Sequence, residues 1–427
     1  MTTPQPAPAR AGSRLRVPLT AGLVLVLLAA IAWRLVSDRG DVGVDLPAVT
    51  EARAQRAEQA LASLAAAWRE RDRAAFLEAA GDAAGAGAWA ARTYDALRLL
   101  DVSEVSLRFL GERVQQSEVS APGAAQTFVA DVAVGWVLDG YRTAASTVAL
   151  TFGDSDEAAS VLGLAGGSSA AGPGGALPLW LAGQLVAGRP GSRCLGVDTD
   201  PAGVRCDQLT QVAERDLAAV LPSRDRDTAW WVVVPGTSAQ AAALLARTSS
   251  GLDQVAAVTS TVDASGLSAA PAVVVLNPDV FGDLGAAAAQ LVTSHEAVHA
   301  ATAAASVDLP LWVAEGFADF VALRAGRVPV QRAAAQLLST VRRSGPPRRL
   351  PEDADFSASR PRPGQTYEAA WLVFRLLGKR YGDDAVVAFY DSALGGAVVG
   401  RALKEATGLT PAELTSAWRS YLVRLAG

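Results

Sequence analysis

The chain has almost no histidine and almost no cysteine: two of each in 427 residues, with Met1 its single methionine. Both histidines, His295 and His299, fall in one HExxH string, so neither is left to activate a thiol, and a catalytic cysteine–histidine couple is excluded. The glycines between residues 163 and 178 are not followed by Lys-Ser or Lys-Thr at the required spacing, which excludes a P-loop. An excess of positive charge is also missing. With 38 basic and 43 acidic side chains the formal net charge is −5, and no basic stripe carries interleaved aromatics, so nucleic acid is not an expected partner. Half the residues are hydrophobic and 19% are charged, a globular composition, and the length suggests two or three domains with a sizeable core.

What is present is concentrated in TSHEAVHAAT, residues 293–302. On a helix, positions i and i+4 lie on one face about one turn apart. His295 and His299 can therefore reach the same ion while Glu296 faces whatever completes its coordination, the arrangement a hydrolytic zinc needs. The bland alternative is a buried polar pair, and with only two histidines in the chain its chance placement in this pattern is rare. A zinc site needs at least one more protein ligand, and a catalytic one keeps a position open for water. Cys194 and Cys206 lie far upstream. The stronger candidate is Glu315, sixteen positions after His299 in PLWVAEGFADF, on a segment that Pro310 opens and that is apolar nearly all round. Such a helix is buried, and acids on it are costly unless paired or metal-bound. Glu315 and Asp319 are spaced i, i+4 and share a face, so one can ligate while the other supports.

With these residues in view, the chain resembles the gluzincin metallopeptidases, whose HExxH helix is followed by a second helix carrying a glutamate ligand in a W-x-x-E-G-x-A-like context. The resemblance covers residues 270–325 and extends by helical patterning to the C-terminus. It implies an α+β fold with a thermolysin-like zincin catalytic domain: a mixed sheet and the HExxH helix, then a helical C-terminal subdomain. It implies Zn2+ held by His295, His299 and Glu315, with Glu296 as general base and Asp319 accepting a hydrogen bond from a ligand imidazole. Gluzincins resemble one another in adding a hydroxyl or imidazole donor from a later helix. No third histidine exists, and Tyr367, opening TYEAAWLVFRLL, is the tyrosine candidate; the alternative is a ring packed at a helix start. Two departures stand out. The gap from His299 to Glu315 is a few residues shorter than in the best-known members, and the G-x-M-E-N exopeptidase signature of the aminopeptidase branch is missing. The implied activity is hydrolysis of peptide bonds in a peptide or protein substrate. A reading from another class is an inactive zinc-binding pseudo-peptidase serving as an interaction module at the cell envelope; an intact Glu296 favours the enzyme.

Taken in order, residues 1–16 carry Arg10, Arg14 and Arg16 and no acid, and Val17 to Trp33 is free of charge. As a helix that run covers about 25 Å, extendable through Leu35 and Val36 if Arg34 snorkels. Residues 17–36 are thus expected to be a transmembrane signal anchor, with 1–16 cytoplasmic and the C-terminal domain extracytoplasmic on a single-pass protein of the cell membrane. The rival is a cleaved signal peptide and secretion, since Ala30-Ile31-Ala32 fits a cleavage site. Outside the cytoplasm, Cys194 and Cys206, which bracket a turn-rich segment, are expected to form a disulfide.

After a linker over 37–50, residues 51–155 read as a long helix, Glu51 to Ala80, then strands at 102–110, 126–138 and 143–152, with Asp139-Gly140 as a hairpin signal. This order weakly resembles the cone-shaped nuclear transport factor 2-like domains, which implies a support or binding domain with a possible partner protein. A Gly/Ser/Ala-rich linker is assigned to 156–178, and the metallopeptidase domain to 179–427. Within it, two short strands are expected in Leu185 to Val197, helices at Gln208 to Val220 and Ser238 to Arg247, and strands at Trp230 to Val234 and Ala272 to Leu276. The last of these strands takes the position that forms the cleft rim in gluzincins; the alternative is a plain core strand, which its apolarity fits about as well. Asp283 is expected to cap the HExxH helix, which can run to about Ala305. A Pro/Arg loop over 344–365 precedes helices opened by Thr366 and by the capping box at Thr410, with Pro411 at its first position.

Overall fold

A computed structural model of the chain describes residues 48–113, 126–155, 157–167, 175–189, 191–222, 230–267, 270–324, 328–357 and 362–427. The expected anchor at 17–36 and the segment before it lie outside the described residues. Among the described residues, no helix is long and apolar enough to cross a membrane.

The first helix, α1 (Ala48–Glu70), ends where Arg71 takes a positive φ of 59°. Asp72 then caps a separate helix, α2 (Arg73–Ala79), by accepting the Ala75 amide at 3.0 Å, so the single helix expected over 51–80 is two. A third helix, α3 (Ala86–Leu99), buries Trp89, Ala90, Tyr94 and Leu97 along one stripe. Four antiparallel strands follow in spatial order: β1 (Val102–Glu112), β2 (Gln126–Leu138), β3 (Ala144–Asp154) and β4 (Ala159–Leu164). In β2 the alternate residues Phe128, Ala130, Val132, Val134 and Trp136 are buried in a core they share with Leu61, Leu64 and Trp68 of α1. Strand β4 occupies part of the stretch assigned as a linker, where buried Val161 donates its amide to the Ala80 carbonyl at 2.7 Å.

The second sheet is mixed, in the order β5-β6-β7-β9-β8, from β5 (Leu185–Ala187), β6 (Cys194–Val197), β7 (Trp230–Pro235), β8 (Ala257–Thr261) and β9 (Ala272–Leu276). Strands β6, β7 and β9 run parallel, and β5 and β8 close the two edges antiparallel. The edge strand is therefore β8, and Ala272 to Leu276 is the core strand of the two readings. Because β8 pairs along its whole length with β9, it places β9 in the interior, and the apolarity of β9 is that of a strand covered on both sides. The alternation of burial shows what covers it. Val232, Val234, Val274 and Leu276 face the core formed with helices α4 (Cys206–Val220), α7 (Ala286–Thr302) and α8 (Leu311–Leu323). Val233, Val273 and Val275 face the core that holds Leu61, Trp68 and Val132. Residues 52–427 form one compact unit around these two cores.

Short helices α5 (Ser238–Leu244) and α6 (Pro278–Phe281) follow β7 and β9, and after α8 the described residues are mainly helical. Helices α9 (Val330–Ala333), α10 (Ala335–Ser344), α11 (Pro363–Tyr381), α12 (Asp383–Leu394), α13 (Val399–Thr407) and α14 (Pro411–Ala426) complete the α+β fold. Helix α11 begins at Pro363 rather than at Thr366, with proline in the first turn, where its missing N–H costs nothing. Thr410 and Glu413 form the capping box of α14. Cys194 and Cys206 are bonded, their Cα atoms 5.9 Å apart, which ties β6 to the start of α4.

Candidate metal centre

Helix α7 starts after Gly285 and stops where Ala303 turns left-handed at φ 52°; Asp283 is two residues too early to cap it, and the helix ends short of Ala305. Polar anchors fix its back against α4. Gln290 donates to the Leu209 carbonyl at 3.0 Å and Ser294 to buried Asp216 at 2.7 Å. This sets the rotation of α7, so that His295 and Glu296, one residue on, face away from α4. Helix α8 packs beside α7 and is buried along most of its surface, with Glu315 and Asp319 half-buried on the remaining face. Gly316 lets α11 approach: a Cβ there would stand 2.7 Å from Phe374 Cδ2 and 2.8 Å from the Ala370 carbonyl oxygen.

Four of the expected side chains meet. His295 Nε2 is 3.1 Å from His299 Nε2 and 3.1 Å from Glu315 Oε2, and His299 Nε2 is 3.6 Å from the same carboxylate oxygen. The other ring nitrogen of His295, Nδ1, is 2.8 Å from Asp319 Oδ1. Donors held about 2.0–2.1 Å from one ion at tetrahedral angles stand about 3.3 Å apart, so the three separations fit one face of such a site. The donor chemistry fits as well, since two imidazoles and a carboxylate suit zinc. His295, His299 and Glu315 form the group that could hold a metal ion among the described residues.

The electrostatics follow from the same contacts. Burial works against a charged His295, but the charge and hydrogen bond of Asp319, reinforced by Glu315, outweigh it and raise its pKa well above the ordinary value. Burial likewise works against the Glu315 carboxylate, yet hydrogen bonds from His295 and His299 hold its pKa far below the usual range.

Glu296 stands on the same turn as the two histidines, and its Oε2 accepts a 2.6 Å hydrogen bond from the hydroxyl of Thr259 on β8. Thr259 escaped the sequence reading: its segment, AVTST, carries no motif, and only strand order brings it to α7. Tyr367, in the first turns of α11, stacks edge-on against Phe356 with ring centres 5.1 Å apart. Its hydroxyl pKa is pushed up to about 12, first by burial and then by the charges of Glu315, Asp319 and Glu296. The phenol therefore feels all three carboxylates and stays protonated.

No family model, curated protein or solved structure matches the chain.

Proposed function

We propose that the chain is a zinc metallopeptidase of the gluzincin type, with a thermolysin-like catalytic arrangement, hydrolysing peptide bonds in peptide or protein substrates. The observation that carries this reading is the convergence of His295, His299 and Glu315 at 3.1 to 3.6 Å, with Glu296 one residue beyond the first histidine on the same helix. A zinc ion bound there supplies Lewis acidity, which polarises a carbonyl and lowers the pKa of water. The chain's own groups do the rest. Glu296 takes a proton from water and returns it to the leaving amine. Asp319 holds His295 through Nδ1, turning Nε2 towards the other donors. The protonated Tyr367 hydroxyl serves as a donor for the carbonyl oxygen as negative charge develops on it. The outer edge of β8 offers backbone groups on which an extended peptide can lie as an added strand. The N-terminal segment anchors the enzyme in the membrane with this site outside the cytoplasm, a setting in which the Cys194–Cys206 bond persists.

The test uses the protein purified in detergent. Wild type should carry stoichiometric zinc and cleave members of a peptide library read by mass spectrometry, and Glu296→Gln should keep the metal and lose hydrolysis. A properly folded wild-type protein that takes up no zinc ends the reading; one that takes it up but cleaves nothing leaves the pseudo-peptidase. A cleaving Glu296→Gln variant removes Glu296 as base.

A further inference from the structure

We infer that Thr259 is a positioning residue for the Glu296 carboxylate, an assignment that rests on the metallopeptidase reading. The hydroxyl of Thr259 has one hydrogen and two acceptors in reach, both on the same residue: Glu296 Oε2 at 2.6 Å and the Glu296 backbone oxygen at 3.0 Å. The carboxylate oxygen is nearer and charged, and 2.6 Å lies in the range of charge-assisted O–H···O contacts, so the hydrogen goes there. One oxygen of the base is thereby held. On the proposed mechanism the other is left to take the proton from water.

The residue type and its place suit that task. A glutamate turns about three side-chain bonds, and a base must sit within hydrogen-bond reach of the proton it removes. Threonine is branched at Cβ, so its hydroxyl has few orientations. Its backbone is held as well, because Thr259 pairs opposite Val274 in the centre of β8. At the end of the strand, Thr261 Oγ1 donates to Asp263 at 3.0 Å, and Asp263 accepts Arg142 at 2.7 Å from the turn between β2 and β3. Alternation along β8 sets the direction: Ala257 lies in the core shared with α7, Val258 packs against the opposite core, and Thr259 returns to the α7 side. The edge strand on which a substrate backbone can lie thus also holds the base by a side chain, which links the two positions within one rigid element.

The test compares Thr259→Val, which keeps the shape and removes the donor, with Thr259→Ser, which keeps the donor; Thr259→Ala serves as a second donor-free variant should the valine fold poorly. Donor-free variants should lose about 10- to 100-fold in kcat with KM and zinc content unchanged, and the serine should stay near wild type. A second readout needs no turnover. In metal-free protein carrying 13C-labelled glutamate, the infrared carboxylate band should move in Thr259→Val, stay in Thr259→Ser, and show no such movement when Glu296→Gln is present as background. Equal kcat for the valine and serine variants, or no band movement, overturns the assignment. A wild type that hydrolyses nothing defeats the metallopeptidase reading and positioning for catalysis with it, while the infrared comparison still decides whether the Thr259–Glu296 bond exists.

Discussion

His295 Nδ1 and Asp319 Oδ1 stand 2.8 Å apart, a carboxylate on one helix fixing which nitrogen of an imidazole on the next is turned towards His299 and Glu315. If His295 is a metal ligand, this contact sets its tautomer and basicity, and losing such a partner typically weakens metal affinity about 10- to 100-fold. Asp319→Asn should therefore still fold and still bind zinc, but yield it to a competing chelator at lower chelator concentration by that factor. An unchanged zinc affinity would show that Asp319 does not orient the ligand.

Tyr367 feels Glu315, Asp319 and Glu296, and its pKa of about 12 keeps the hydroxyl a donor through the neutral range. On the proposed mechanism, Tyr367→Phe should lower kcat by about 10² or more, with KM, zinc content and thermal stability unchanged. Near wild-type turnover would return the ring to its packing against Phe356.

The approach of α11 to α8 has no room for a methyl group at residue 316. A Cβ would meet the Ala370 carbonyl oxygen at 2.8 Å, and a backbone atom can move only with its helix. Gly316→Ala should destabilise by about 1–3 kcal/mol in urea unfolding, despite alanine's better helix propensity. Because the shift carries α11, and Tyr367 with it, kcat should fall as well. Stability at or above wild type would mean that the helices part without cost.

Asp263 joins the two sheets through Arg142, and burial, which raises its pKa, is outweighed by hydrogen bonds from Ser265, Thr261 and Arg142 that lower it below the ordinary 3.8. A carboxylate whose folded-state pKa is depressed binds fewer protons folded than unfolded. Its stabilisation is complete above the unfolded-state pKa and is lost as pH falls through the lower folded-state value. Asp263→Asn should therefore melt several degrees below wild type at neutral pH, and the two melting curves should converge as pH drops below about 4. A gap in Tm that stays constant down to acid pH would assign the difference to packing instead.

The sequence alone determined what depends on neighbours along the chain. Helical spacing puts His295 and His299 on one face and Glu315 with Asp319 on another, and the chain's lack of other histidines leaves no rival. The box at Thr410 and the hairpin at Gly140 were legible for the same reason. Positive φ at Arg71 and at Ala303 was not, because neither residue advertises a left-handed turn as glycine does. Tertiary structure decided the rest. An apolar run such as Ala272–Leu276 reads alike at an edge and in an interior, and only its pairing with β7 and β8 places it between them. Strand order is a matter of distant partners, which no local pattern encodes. It makes β8 the edge and sets the Thr259 hydroxyl on the Glu296 carboxylate across 37 residues of chain, a contact that exists only because the sheet and α7 pack together.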